Sequence, residues 1–400
     1  MAHTRSRAGT GILTAAALLV VTGCGGSAIS DTGSDSDGPL KIGLIVPLTG
    51  PVSSTGKALR NAFELGVEKV NEDGGVNGAD VEFVVVDDGG DPATSTQLAR
   101  RLVQREKVSM LFGTITGDTA EAVTKVADDA KVPFGTAILG DTGQCHPYAW
   151  GFGESTRQLL TPTIPALLEK YGKRVAVVGS DYNFPHYYLR VAKEQVKRAG
   201  GSVVAEEFSP IGQTDWQPVI KRLKAAKPDV LLAMVVGSDA VSFSQQAKQF
   251  GLLSPQLGYD GAPLDSDYYP ALNALVNGRT HTVRWTDRLD DPDSRAFVAD
   301  YRKAYKFKGP MPEVAGNAYF GIQFFLAAAE KAESADGEAI NTEIGRLTFD
   351  SPLGENTRFA AANHILQADM FQATIKPGGA YEVSRELGRV ADTTPMPGCS

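Results

Sequence analysis

From Leu40 onward the chain alternates short apolar runs with amphipathic stretches of helical period, and nothing else in it constrains the fold as strongly. A strand buried on both faces reads as a continuous apolar run. A covering helix reads as apolar residues at every third or fourth position, and the two in turn make βαβ units around a parallel sheet. Lys41 to Val46 reads as the first such strand. A loop of Pro, Gly, Ser and Thr follows to Gly56. Leu59, Ala62, Phe63, Gly66, Val67 and Val70 then share one helical face, with Arg60, Glu64 and Glu68 on the other. Gly74-Gly75 and Gly78 turn the chain into a second strand, Val81 to Val86, which ends at Asp87-Asp88. Asp91-Pro92 has the form of an N-cap followed by a first-turn proline, and it predicts a helix to about Glu106. A strand over Val108 to Phe112, a helix over Thr119 to Asp129 and a strand over Val132 to Thr136 complete this series.

A second series follows. It has a helix from Leu159 to Tyr171, a strand at Arg174 to Val178, a helix from Pro185 to Ala199 and a strand from Ser202 to Phe208. Thr214-Asp215-Trp216-Gln217 has the form of a capping box opening a helix with Val219, Ile220 and Leu223 inward. Asp229 to Val236 reads as a strand and Ser238 to Phe250 as the helix behind it. After Leu289 the pattern shifts to helices at Asp293 to Tyr305, Glu313 to Ala332 and Gly337 to Leu347. Strands are expected near Thr357 to Phe359, Met370 to Ile375 and Tyr381 to Val383. The expected fold class is α/β, with two doubly wound parallel-sheet lobes joined by crossovers. Such sheets bind ligands at the carboxyl ends of their strands, so the crevice between the lobes is the expected site.

The amino terminus reads as an address. Arg5 and Arg7 precede an apolar run from Ile12 to Val21. That run is too short for a bilayer span, which takes about 20 residues, and it suits the core of a secretory signal. Val21-Thr22-Gly23-Cys24 resembles the lipobox of bacterial lipoproteins, which implies a lipid on Cys24; the alternative is a plain signal peptide with an incidental cysteine. Residues 25–38 are almost all Gly, Ser and Asp, too polar to repay the entropy of ordering, and read as a tether. Removing Arg5 and Arg7 leaves 37 basic against 47 acidic residues, a net charge of −10, which disfavours nucleic acid. In an oxidising compartment the two remaining cysteines, Cys145 and Cys399, are expected to pair, two free thiols being the alternative.

Several segments in order resemble the type I periplasmic binding proteins of ABC transporters, in the branched-chain amino acid group and especially its amide- and urea-binding relatives. Ile42 to Gly50 resembles that family's first strand and ligand loop, and Asn71 to Gly78 its Asn-x-x-Gly-Gly-Val-Asn-Gly turn. Asp87-Asp88 resembles its acidic pair. The segments Gly179 to Pro185, Pro210 to Ile220, Pro228 to Gly237 and Phe349 to Gly354 resemble the amide and urea binders. The resemblance implies a periplasmic binding protein-like fold of the Leu/Ile/Val-binding type. It places lobe 1 at 39–157 plus 285–350, lobe 2 at 158–284 plus 351–390, and a tail at 391–400. It also implies a ligand site at Thr116 and Gly117, at Phe134, Thr136 and Ala137, and at Tyr182, with Gly237, Ser238 and Asp239 from the other lobe. Gly117 stands where a serine is usual, and Gly135 where proline is commoner.

Each of these residues also has a plainer reading. Tyr182 and Phe134 fit a core, Thr116 and Thr136 fit helix caps, and Asp239 fits either an N-cap or the counter-ion of a ligand ammonium. Asp260 shares that ambiguity. Asp87, Asp88 and Asp91 fit no EF-hand spacing and read as a solvated turn. There is no Gly-x-Ser-x-Gly elbow, no P-loop and no metal-like pairing of histidines. The expectation is a binder rather than an enzyme, without cofactor or metal. It is expected to be a monomer that meets the membrane through its lipid and delivers an amino acid, short amide or urea-like solute to an ABC permease. A sensor with the same clamshell remains the alternative.

Overall fold

The computed structural model describes residues 39–138, 140–141 and 146–395. The expected leader at 1–23, the tether at 24–38, the lipid site Cys24 and the Cys145–Cys399 pair therefore lie outside the described residues. No helix among the described residues is long and apolar enough to cross a membrane.

The first lobe is built on β1 (Lys41–Val46), α1 (Ser53–Glu72), β2 (Glu82–Asp87), α2 (Pro92–Gln104), β3 (Met110–Gly113), α3 (Gly117–Ala130), β4 (Phe134–Thr136) and β5 (Ala149–Gly151). Its strands form one parallel sheet in the order β2-β1-β3-β4-β5. Asp91 caps α2 as its sequence implies, accepting from Thr94 N at 2.7 Å with Pro92 in the first turn.

The second lobe follows with α4 (Thr156–Tyr171), β6 (Arg174–Ser180), α5 (Asn183–Arg198), β7 (Ser202–Ser209), α6 (Gln217–Ala225), β8 (Val230–Met234), α7 (Ser238–Gln249), β9 (Gly258–Gly261) and α8 (Tyr269–Val276). Its parallel sheet runs β7-β6-β8-β9. The expected capping box at Thr214 does not form. Trp216 occupies the cap position of α6 without a side-chain cap bond. Its ring is fully buried and meets Phe243 edge-on at 5.2 Å. Burying that ring sets where the helix starts, and Asp215 is left to accept from Gln217 N at 3.0 Å.

The chain then crosses back. After β10 (Thr280–Val283) come α9 (Pro292–Tyr305), α10 (Glu313–Ala332) and α11 (Gly337–Ile344), which cover the first sheet. The tail holds β11 (Phe349–Ser351), β12 (Gly354–Phe359) and β13 (Leu366–Gln367), an antiparallel trio. It ends with β14 (Asp369–Ile375) and β15 (Tyr381–Arg389); β14 pairs antiparallel with β10 on one side and β15 on the other. Leu353, Phe359 and Leu366, expected with the second lobe, belong instead to the first core. The reason is aromatic packing: Phe359 lies 5.1 Å from Phe324, 6.0 Å from Phe325 and 5.1 Å from Trp150.

Helix α10 is buried on nearly every side, which its run of Ala, Phe, Gly and Leu permits. Gly66 lets it approach α1, since a Cβ there would lie 2.5 Å from Ile322 Cγ2.

Three segments pass between the lobes, at 152–155, at 283–286 and at 365–369. One fully buried guanidinium touches all three. Arg284 donates to the carbonyl of Phe152, to Gln158 Oε1 at 2.7 Å and to the carbonyl of Leu366 at 3.5 Å. Asp392, in the expected tail, is buried beside this junction. It accepts from Ser155 Oγ at 2.7 Å, and its carbonyl accepts from Gln367 Nε2 at 2.8 Å.

Phe325, buried between Phe112 and Phe359, is the most direct test of the first core. Phe325→Ala is expected to cost about 3–5 kcal/mol of unfolding free energy, read as a lower midpoint in chemical denaturation. A loss under about 1 kcal/mol would show that α10 is not part of that core.

Candidate functional site

Both parallel sheets point the carboxyl ends of their strands at a shared cavity of about 110 Å³. For scale, an apolar cavity of about 150 Å³ takes benzene. The first lobe contributes Val52 and Thr55 at the start of α1, Ile115 and Thr116 after β3, Ile138 after β4 and Glu154 after β5. The second contributes Leu159 and Thr163 of α4, Tyr182, Phe184 and Tyr188 around the start of α5, and Met234 and Val236 at the end of β8. Asp260, Asp265 and Tyr268 follow from β9 and its trailing loop. His281 and Thr282 of β10 and Glu313 at the head of α10 close the floor.

The lobes are shut against each other around this space. Thr55 Oγ1, at the head of α1, donates to Asp267 Oδ2 in the second lobe at 2.7 Å. Asn183 Nδ2 reaches Glu121 Oε2 at 3.2 Å, and Ser238 N reaches the Pro51 carbonyl at 3.3 Å. Gly117 lies on this seam. A Cβ there would sit 2.6 Å from Asn183 Oδ1 and 3.2 Å from Phe184 Cβ. The glycine that departs from the family's usual serine is thus the residue that lets α3 and α5 meet.

Three of the sequence-predicted residues, Thr116, Tyr182 and Asp260, face the cavity. Phe134 is fully buried in the core beneath the first sheet, and Ala137 is packed in the core above it, with neighbouring Ile138 taking the cavity position. The Thr136 carbonyl accepts from Phe152 N at 2.8 Å, which ties β4 to the first crossover. Gly237 and Ser238 stand on the seam against Pro51. Asp239 is buried inside the first turn of α7, where its Oδ2 accepts from Gly212 N at 2.7 Å and holds the loop before α6. Of the motifs resembling the amide and urea binders, Tyr182 and Phe184 line the cavity, while Trp216 belongs to the second core.

The polar lining combines hydroxyls with four carboxyls, those of Glu154, Asp260, Asp265 and Glu313. His281 Nδ1 bonds Asp260 Oδ1 at 2.7 Å, and its Nε2 lies 3.6 Å from Asp265 Oδ1. Burial alone would lower the His281 pKa, but the charge and hydrogen bond of Asp260, helped by Asp265, hold it well above the ordinary imidazole range. Burial raises the Glu154 carboxyl against the pull of Arg284, and burial beside Glu154 pushes Glu313 well above its usual range. Glu313 Oε1 accepts from the backbone of Arg284 and, at 3.2 Å, of Trp285. Burial, then the charge of Asp265, pushes Asp267 up to about 7. Among the described residues no cluster of His, Cys, Asp and Glu is arranged to hold a metal ion.

Glu154, Asp265, His281 and Glu313 were not foreseen. Glu154 lies on a crossover, Asp265 in the loop trailing β9, His281 on a strand the sequence pattern does not show and Glu313 at the head of an expected helix, and they come together only when the chain crosses between lobes. The one available signal was a glutamate opening α10 behind Pro312, which also reads as ordinary first-turn helix chemistry.

The fold and the cavity together define a class, the two-lobed α/β proteins that enclose a small molecule between facing sheets. The chain belongs to the periplasmic binding protein family, whose profile matches residues 39–380. It is similar to Leu/Ile/Val-binding protein homolog 7 of Brucella suis, at 25% identity over 375 residues, 88% of this chain and 93% of the relative. It is also similar to homolog 6 of Brucella melitensis, at 28% over 357 residues, 87% and 90% of the two chains. A solute-binding protein of an ABC transporter from Rhodopseudomonas palustris, in complex with 3,4-dihydroxy benzoic acid, matches with a TM-score of 0.79 at 26% identity. That match covers 90% of this chain and 99% of the other. The leucine binding protein LivK of Thermotoga maritima shares the fold, with a TM-score of 0.76 at 20% identity over 87% and 99% of the two chains. Members of the family are extracytoplasmic substrate-binding components of ABC transporters.

Two outcomes follow from this geometry. Gly117→Leu is expected to hold the sheets apart, raising the radius of gyration in small-angle scattering while far-UV circular dichroism stays unchanged. An unaltered radius would show that the seam tolerates a side chain. The second concerns pH. A carboxyl whose pKa rises on folding binds more protons in the folded state, so its contribution to stability falls as pH rises from 3.8 towards about 7. Asp267→Asn keeps an acceptor for Thr55, and it is expected to flatten the decline of the melting temperature across that interval. An unchanged slope would show that Asp267 is ionised throughout it.

Proposed function

We propose that this chain captures a small organic solute by closing its two lobes over it, and presents the closed form to an ABC permease. The observation that carries this reading is the shared cavity, walled by both lobes and floored by β10 and the head of α10. A guest held between both lobes would couple occupancy to their separation through a hinge. In this reading the division into lobes follows the two sheets, and the Gly/Ser/Asp tether with a lipid on Cys24 holds the body at the membrane. The relatives named for Leu, Ile and Val, and the neighbour holding an aromatic acid, set the size of guest expected here. Amino acids, short amides and urea-like solutes all lie within it.

Calorimetry against pooled metabolites of that size is expected to give saturable binding by a member. Scattering with that member is expected to show a more compact particle than without it. Cells lacking the protein should then fail to accumulate the same compound. If no pool binds, or if a bound compound leaves both shape and uptake unchanged, the capture-and-delivery reading fails.

A further inference from the structure

We infer that the guest carries a positively charged amine-type group on an apolar body, and that this group is seated where Glu154, Glu313 and Asn317 meet. The inference rests on the capture reading above and sharpens it. A recess of about 30 Å³ opens beside the main cavity and shares Thr55, Ile138, Glu154, Asp265 and Glu313 with it. One water needs about 10–15 Å³ by the same kind of measure, so the recess suits a group of ammonium size.

The chemistry of its wall is one-sided. Asn317 also lines it and is 1% exposed. Its Nδ2 donates to Glu154 Oε2 at 3.1 Å, which fixes the amide's orientation, and its Oδ1 has no hydrogen-bond partner among the described residues. An acceptor left unpaired in a buried site is costly, and here it stands among further acceptors on Glu154, Glu313, Asp265 and Asp267. An ammonium offers three donors and no acceptor.

The surrounding charges agree. With Asp260 in the main cavity there are five carboxyls, against one imidazole and one guanidinium. His281 is already engaged by Asp260 and Asp265. Arg284 is turned to the Phe152 and Leu366 carbonyls and Gln158, and neither it nor any other Arg or Lys lines the two spaces. A free carboxylate guest would enter a field of its own sign. Burial disfavours the charged forms of Glu154 and Glu313, and an arriving cation would favour them. The remaining wall, with Ile115, Leu159, Phe184, Met234 and Val236, suits an aliphatic or aryl body.

The test uses the full chain and measures calorimetric affinity for isoamylamine, benzylamine, putrescine and agmatine, with leucine and benzoate as comparisons. The same series is run on Glu154→Gln and Glu313→Gln, each checked by its melting curve. At least one amine is expected to bind, more tightly than benzoate and leucine, and to lose about 10-fold or more in affinity in whichever of the two variants folds. Binding of leucine, benzoate or a pooled metabolite without binding of any amine overturns the charge assignment and leaves the capture reading standing. Amine binding that both variants leave unchanged overturns the seat. A protein that binds no amine, neither comparison compound and no pool loses both readings.

Discussion

The Arg284 guanidinium is the interaction on which the two-lobed arrangement depends. An ion taken fully out of water costs several kcal/mol unless its donors are met, and five donors in a fixed fork need acceptors arranged around them. Here acceptors from Phe152, Gln158 and Leu366 meet its two terminal nitrogens, its Nε having no partner among the described residues, and these bonds form only when Arg284's own crossing segment is in register with the other two. The charge itself is balanced by Glu154 and Glu313, which lie on the cavity side of the same junction. The hinge and the acidity of the cleft are therefore one electrostatic problem solved once. The carboxyls needed to bury a cation between the lobes exceed it in number, and the excess faces the guest.

What the sequence revealed followed from periodicity. Strands β1, β6 and β8 are continuous apolar runs and α1 carries a clear stripe, so the parallel lobes were readable without any template. Strands β5, β9 and β10 were not. Ala149-Trp150-Gly151, Gly258-Tyr259-Asp260-Gly261 and Thr280-His281-Thr282-Val283 are short or interrupted by Gly, Asp and His, and sheet position rather than intrinsic preference makes them strands. The site divided along the same line. Thr116 and Tyr182 sit just past strands that could be read, whereas Glu154, His281 and Glu313 meet only through tertiary contacts, such as that of Glu154 with Asn317 and of Glu313 with Arg284.

Gly117 and Trp216 show why motif resemblance and ligand contact separate here. Gly117 departs from the family pattern, and its reason is steric: it faces the opposite lobe rather than the guest. Trp216 keeps the pattern of the amide and urea binders and serves the second core. A motif can thus persist for packing while the polar groups around the guest change, which is why family likeness fixes the architecture before it fixes the ligand.

The discontinuity of the first lobe bears on how the molecule is made. Its sheet is complete by Gly151, yet the helix that joins α1 on one face of that sheet begins only at Glu313, and Asp392 latches the crossovers later still. During vectorial synthesis the face that α1 shares with α10 stays incomplete until most of the chain has emerged, while the opposite face closes with residues 45–134 alone. A polypeptide threaded through a translocation pore benefits from such lateness, because premature compaction would jam its passage. The topology that lets two bodies swing about one junction also leaves one face of the first body open until late in synthesis.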